Sequence, residues 1–197
     1  MFKSYQKTIN KSIKFKGVGL HNGVDVNLTV KPAEENFGIK FCRTDLNQKN
    51  VVEAKFQNVV EPILCTKIQN DNGVTVSTVE HLMAAFFGEG IDNALVEIDS
   101  PEVPILDGSA SEFVEGIRAV GTKTQKMPRK FIKVLKRVEI QEDKKYISIE
   151  PLENDLVVDF EIKYSNPLIR TRRKEFKFSS DDLTNIYNSR TFCLYED

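Results

Sequence analysis

The sequence predicts an α+β fold of two similar layered domains, each a β-sheet packed on helices, the second incomplete. Three observations carry this. β-Alternating segments bounded by turn residues fill both halves, two capped helical segments interrupt the first half, and a polar, basic stretch follows Gly121. With 197 residues, 40% of them hydrophobic, the chain is long enough for two domains that each bury a core. The first domain is placed over residues 1–122 and the second over 127–197.

Taken in order, residues 5–30 read as strand, tight turn, strand. Ile13 and Phe15 lead through Gly17-Val18-Gly19-Leu20 to His21-Asn22-Gly23, after which Val24, Val26, Leu28 and Val30 alternate with polar residues. Asn22-Gly23 is a hairpin signal. The glycines do not make a dinucleotide-binding motif, because a strand follows them and the spacing is not GxGxxG. Further strands are expected over residues 38–43, 64–69 and 94–98. Ser77-Thr78-Val79-Glu80 and Ser109-Ala110-Ser111-Glu112 read as capping boxes, each opening a helix. Pro101, Pro104 and Asp107-Gly108 stiffen the approach to the second helix. From Gly121 through Met127-Pro128 the chain reads as a linker. Beyond it, strands are expected over 131–140, 146–150, 156–164 and 175–178, with a short helix from Ser180 to about Tyr187 and a last strand over 189–197. A domain ending on an unpartnered strand leaves a sheet edge uncovered, so the second domain reads as incomplete.

The 28 basic and 29 acidic residues leave a net charge of -1, which argues against a general polyanion binder. Residues 123–177 carry 15 Lys/Arg against 9 Asp/Glu, and the rest of the chain 13 against 20. Charges alternating along strands make a solvated face, and Arg170-Thr171-Arg172-Arg173-Lys174 lacks interleaved aromatics, so no nucleic-acid partner is expected. Cys42, Cys65 and Cys193 are widely spaced and form no CxxC, which argues against a disulfide framework or a cysteine-rich zinc ribbon and fits the cytoplasm. No signal-peptide core opens the chain, and the longest apolar run, residues 82–87, is too short to span a bilayer. No stable membrane insertion is expected, and the oligomeric state is left open.

Only His21 and His81 can supply imidazole chemistry. On a helix at ~100° per residue, Val79, Leu82, Met83, Phe86 and Phe87 form one apolar stripe, His81 falls opposite beside Ala85, and Glu80 lies near Ala84. An adjacent Glu-His pair suits zinc chemistry, since imidazole binds the metal while the carboxylate takes a proton from water. On local sequence alone, a capping glutamate followed by a surface histidine is the plainer reading. Three protein ligands are needed, and with no HExxH and no second histidine on the helix the residues give half a site.

Six collinear motifs then carry a resemblance. Gly17-Val18-Gly19-Leu20-His21-Asn22-Gly23, Leu64-Cys65-Thr66, Ser77-Thr78-Val79-Glu80-His81-Leu82-Met83-Ala84-Ala85, Gly90-Ile91-Asp92-Asn93, Pro104-Ile105-Leu106-Asp107-Gly108-Ser109-Ala110 and Ser189-Arg190-Thr191-Phe192 together resemble the UDP-3-O-acyl-N-acetylglucosamine deacetylases of Gram-negative lipid A synthesis. The resemblance implies a Zn2+ hydrolase that removes acetate from UDP-3-O-acyl-N-acetylglucosamine at a site between two similar α+β domains. By the same resemblance His81 is a zinc ligand, Glu80 the general base and Thr191 an oxyanion donor. His21, Leu64, Cys65, Phe192 and Asp197 match positions near the substrate groove. The family's other two zinc ligands and its general-acid histidine lie beyond the Arg-Thr-Phe strand, and its second-domain insert has no match here. The chain alone is therefore expected to be inactive, with a non-catalytic UDP-sugar-binding fragment as the rival reading.

Overall fold

The computed structural model describes residues 4–61, 63–153 and 155–192. It is α+β, as expected, and divides into two compact units, one comprising residues 1–129 and 184–197 and the other residues 130–183.

The first unit is built on a five-stranded sheet. Its strands are β2 (Ile13–Val18), β3 (Asp25–Pro32), β4 (Ile39–Arg43), β5 (Val51–Glu53) and β8 (Ala94–Ile98), ordered β2-β3-β8-β4-β5. Neighbours are antiparallel except β4 and β8, which run parallel. Period-2 alternation puts Val26, Leu28 and Val30 on one buried face, and registry continues the row across the sheet: Ile13, Val30, Val96, Phe41 and Val52 stand side by side. Four of these five are fully buried, so a one-residue slip of any strand would turn its core residues to water.

Two ten-residue helices complete the core, α1 (Glu80–Glu89) and α2 (Ser111–Val120). Leu82, Ala85 and Phe86 bury the inner face of α1; Phe113, Val114 and Ile117 bury that of α2. Phe113 meets Phe15 of β2 edge-on at 5.0 Å between ring centroids. The expected α1 stripe is corrected at one end: Phe87 is 60% exposed while Ala85 is fully buried. The buried arc is rotated toward Ala85 because the helix starts from an irregular turn, so its inner face is set by packing and not by the longest apolar run.

Around the sheet lie two ribbons. β1 (Tyr5–Ile9) pairs antiparallel with β9 (Thr122–Pro128), and β6 (Ile68–Gln69) with β7 (Thr75–Val76). The supposed linker after Gly121 is thus a strand. Its side chains are nearly all exposed, so it shows no apolar alternation, and its order comes from the backbone ladder and from Gln125, which donates to the Ala33 carbonyl at 2.9 Å. The strand expected over 64–69 shrinks to β6, because Leu64 takes a left-handed φ of 56° and breaks the extended run.

In the second unit, β10 (Val138–Glu142) pairs with β11 (Lys145–Ile149), and β12 (Val157–Lys163) with β13 (Thr171–Lys177). The four expected strands are present with shifted ends. α3 (Thr184–Tyr187) follows. Residues 189–192 are not a strand, and the remainder of that expected strand, with Asp197, lies outside the described residues.

α3 and residues 188–192 belong to the first unit. The Ala110 N–H donates to the Tyr187 carbonyl and the Thr191 N–H to the Gly108 carbonyl, at 3.0 and 2.9 Å. Arg190 donates to the Asp107 backbone carbonyl and to its carboxylate at 3.0 and 2.9 Å. The Tyr187 ring, 3% exposed, lies under the Arg118 guanidinium, which is paired with Glu89. Burial and the neighbouring Glu89 carboxylate push the Tyr187 phenol up to about 12.

Two tests of this docking follow from the geometry. A Cβ at Gly88 would stand 2.1 Å from the Tyr187 hydroxyl. In a free helix Gly→Ala gains about 1 kcal/mol, but overpacking here costs about 1–3 kcal/mol. Gly88→Ala should therefore lower stability in urea unfolding and release Tyr187; a stabilised variant would contradict the packing. The second concerns Asp107, whose carboxyl is held below the usual range by the Ser109 hydroxyl and then by Arg190. A depressed carboxylate contributes stability that is present above its unfolded pKa of about 3.9 and lost as pH falls through the lower folded value. The stability gap between wild type and Asp107→Asn should narrow as pH drops from about 5 to about 2; a constant gap would count against the pairing.

Candidate active site

α1 begins abruptly. Thr78 sits at a left-handed φ of 56°, unusual for a β-branched residue, and Val79 is already helical. The expected capping box is not formed. Ser77 turns its hydroxyl to the Pro101 carbonyl at 3.3 Å, and the Glu80 carboxylate accepts the Thr66 N–H at 3.0 Å instead of returning to its own helix. The second box is also replaced: the Ser109 hydroxyl donates to Asp107 at 2.7 Å and accepts the Ser111 N–H at 3.1 Å, with Ala110 as the helix cap. In both places strained loop geometry supplies a nearer acceptor than the regular cap would.

The Thr66 contact matters for the site, because it fastens the loop bearing Leu64 and Cys65 to the first residue of α1. Leu64 is 74% exposed and Cys65 partly exposed. His81, next along the helix, is partly exposed.

On the other side of this helix start runs the segment 101–108. The Ser77 N–H donates to the Pro101 carbonyl and the Val103 N–H to the Ser77 carbonyl, at 2.9 and 3.0 Å. Glu102, only 2% exposed, accepts the Thr78 hydroxyl at 2.9 Å. It also accepts the N–H groups of His21, at 3.0 and 3.2 Å to its two oxygens, and of Asn22 at 3.0 Å. Further along, the Ile105 N–H reaches the Val18 carbonyl at 3.0 Å, and Asp107-Gly108 holds Arg190 and Thr191 as described. Phe192 follows, 52% exposed.

The expected site residues therefore sort plainly. His21, Leu64, Cys65, Glu80, His81 and Thr191 are on loops and a helix start that hydrogen bonds tie to one another or to the segment 101–108. Glu102, which holds these pieces together, carried no role in the sequence reading, and Asp107 was read only as part of a rigid turn and a family motif. Their signal was an acidic residue between two near prolines, Pro101-Glu102-Val103-Pro104, and an Asp before Gly-Ser. Strain gathers here too: Leu64, Thr78 and Leu106 all adopt left-handed φ between 51° and 56°.

Among the described residues no cluster of three or more His, Cys, Asp or Glu side chains is placed to hold a metal ion. His81 is a chemically suitable donor, but these residues do not complete a zinc site. An open polar depression lined by Asn50, Asn58 and Asn70 shares no residue with the site. Its amides are spent on backbone, Asn70 donating to the carbonyls of Lys49 and Val51 and Asn50 to those of Arg43 and Leu46.

Comparison with known proteins now gives these residues a setting. The UDP-3-O-acyl-N-acetylglucosamine deacetylase of Shewanella violacea is 39% identical over 196 residues, covering 98% of this chain and 64% of the relative. The proteins of the same name from Vibrio campbellii and Vibrio cholerae are each 43% identical over 195 residues, again covering 98% of this chain and 64% of the relative. The chain thus spans 64% of the length of these relatives. The LpxC family model, described as UDP-3-O-acyl N-acetylglycosamine deacetylase, matches residues 6–197, and with the collinear motifs on either side of the segment 101–108 this makes the chain a member of that family.

Proposed function

We propose that the whole protein is a zinc-dependent hydrolase that removes acetate from UDP-3-O-acyl-N-acetylglucosamine in lipid A biosynthesis, and that these 197 residues supply its base, one metal ligand and an oxyanion donor. One observation carries the reading: the Glu80 carboxylate is pinned by the Thr66 N–H at 3.0 Å, beside His81 and the loop of Leu64 and Cys65. Family membership supports the reaction class. Among the described residues no helix is long and apolar enough to cross a membrane. Widely spaced cysteines without a CxxC suit work in the cytoplasm on an amphipathic sugar nucleotide.

The chemistry asks for little movement. Glu80 takes a proton from the attacking water as the new C–O bond forms, and the amine nitrogen takes up a proton as the C–N bond breaks, leaving acetate and a free amine. A hydrogen bond already fixes one Glu80 oxygen, which orients the other for that transfer. The Thr191 backbone is anchored on Gly108, so its hydroxyl can donate to the developing oxyanion from a fixed base. His21, Leu64, Cys65 and Phe192 would line the sugar-nucleotide and acyl approach; Asp197 is assigned to the same groove by family resemblance alone. Zinc, when bound, would polarise the amide carbonyl and acidify water. His81 would be one of its ligands.

A second reading is favoured by the lack of a three-donor cluster among the described residues: the 197-residue piece by itself binds the UDP-sugar without turning it over. Zinc content and acetate release separate the two. The full-length protein should hold one zinc and release acetate, while the 197-residue chain should do neither, since a single imidazole holds zinc weakly. Full activity in the short chain would reject that division of labour. In the full-length protein, His81→Ala should lose the metal. Glu80→Gln should keep it and lose activity by about 100-fold or more, as expected when a general base is removed. If both variants keep zinc and activity, the catalytic reading fails.

A further inference from the structure

We infer that Glu102 is the positioning residue of this site, setting the loop of His21 against the helix start that carries Glu80 and His81. The inference deepens the deacetylase reading and rests on it for what is positioned. Glu102 is 2% exposed, and its partners are two backbone N–H groups and a hydroxyl rather than a cation. Both of its oxygens act as acceptors.

A carboxylate is a poor choice for stability alone, because an apolar side chain of similar volume avoids the desolvation cost. What it supplies is direction. One oxygen accepts both the His21 N–H and the Thr78 hydroxyl, so the two elements share a single acceptor. The surroundings are shaped for that acceptor at local cost. Thr78 holds its φ of 56°, and Gly19 leaves open a space in which a Cβ would stand 2.6 Å from Glu102 Oε2 and 2.3 Å from Asn22 Oδ1. The His21 backbone is tied to a buried group while its side chain is exposed, the arrangement of a loop that presents an imidazole to a ligand. Thr78 lies two residues before Glu80, next to the cap residue Val79, so its conformation sets the direction in which α1 begins.

An amide at this position cannot accept from both sides, since its NH2 would face an N–H or a hydroxyl. In the full-length protein, Glu102→Gln should raise hydrogen exchange at the His21 and Asn22 amides by about tenfold or more while β3 and β8 stay protected. It should lower kcat/KM by about 10- to 100-fold with zinc retained, as expected when reacting groups lose their relative orientation. Thr78→Val should act mainly on kcat and leave KM close to wild type, and Thr78→Ser, which restores the hydroxyl, should recover most of what Thr78→Val loses. A residue that only stabilised the fold would lower the unfolding midpoint without this split.

The inference is overturned if Glu102→Gln folds with the His21 and Asn22 amides as protected as in wild type, or keeps wild-type kcat/KM. If Glu102→Gln does not fold, Thr78→Val and Thr78→Ser decide: equal kcat values for the two overturn it, and recovery by serine alone supports it. Wild-type protein without zinc or acetate release would instead sink the deacetylase reading, and the exchange data would still judge the positioning role.

Discussion

The buried carboxylate of Glu102 is the constraint on which the arrangement of this unit turns. A charge-capable group is costly to remove from water, and it is tolerated here because four donor contacts surround it. Those donors come from residues far apart in the chain, His21 and Asn22 on one side and Thr78 on the other. Around it the backbone of 101–108 binds Ser77, Val18 and Thr191 in turn. Two prolines limit the freedom of this segment in the unfolded chain, so less entropy is lost in ordering it. Strained backbone costs on the order of 1–3 kcal/mol per residue. Hydrogen bonds to a charged group return about 1.5–3 kcal/mol each, enough to hold Thr78 in its unusual conformation.

What could be read from the sequence follows the strength of the physical signal. The central sheet was legible because Val26, Leu28 and Val30 alternate without interruption and because 94–98 and 38–43 are short apolar runs between turn residues. β9 was not, since seven mostly exposed residues held by a backbone ladder leave no mark in the hydrophobic pattern. The capping boxes illustrate a different failure. Serine and glutamate stood at the right spacing, but Ser77 and Glu80 found partners 24 and 14 residues away. Local rules describe the nearest acceptor in the chain, and the fold supplied a nearer one in space.

The candidate residues could be picked from the sequence, but not how the fold ties them together. Glu80 and His81 stood out as a pair, yet placing them on the solvent side of an apolar stripe did not anticipate the rotation that buries Ala85 and exposes Phe87. The roles expected of Thr191, His21 and the Leu64-Cys65 loop rest on family resemblance, because no periodicity shows that residues so far apart are tied to the same segment or helix start. The organising roles of Glu102 and Asp107 were missed for the same reason. Glu102 looks like a loop residue until its burial is known.

Such an arrangement ties function to folding more tightly than a site on one rigid helix would. Thr191 is held through Gly108, Asp107 and Arg190, and His21 through Glu102, so both depend on contacts that span roughly 80 residues of chain. Contacts of long sequence separation are formed late and at high loop-closure cost. The parts that carry the chemistry are therefore expected to acquire their geometry only after the five-stranded sheet has closed. The strained residues 64, 78 and 106 lie in connections outside β3, β8 and β4, and the buried carboxylate and the Asp107 turn hold the last two of these connections in place.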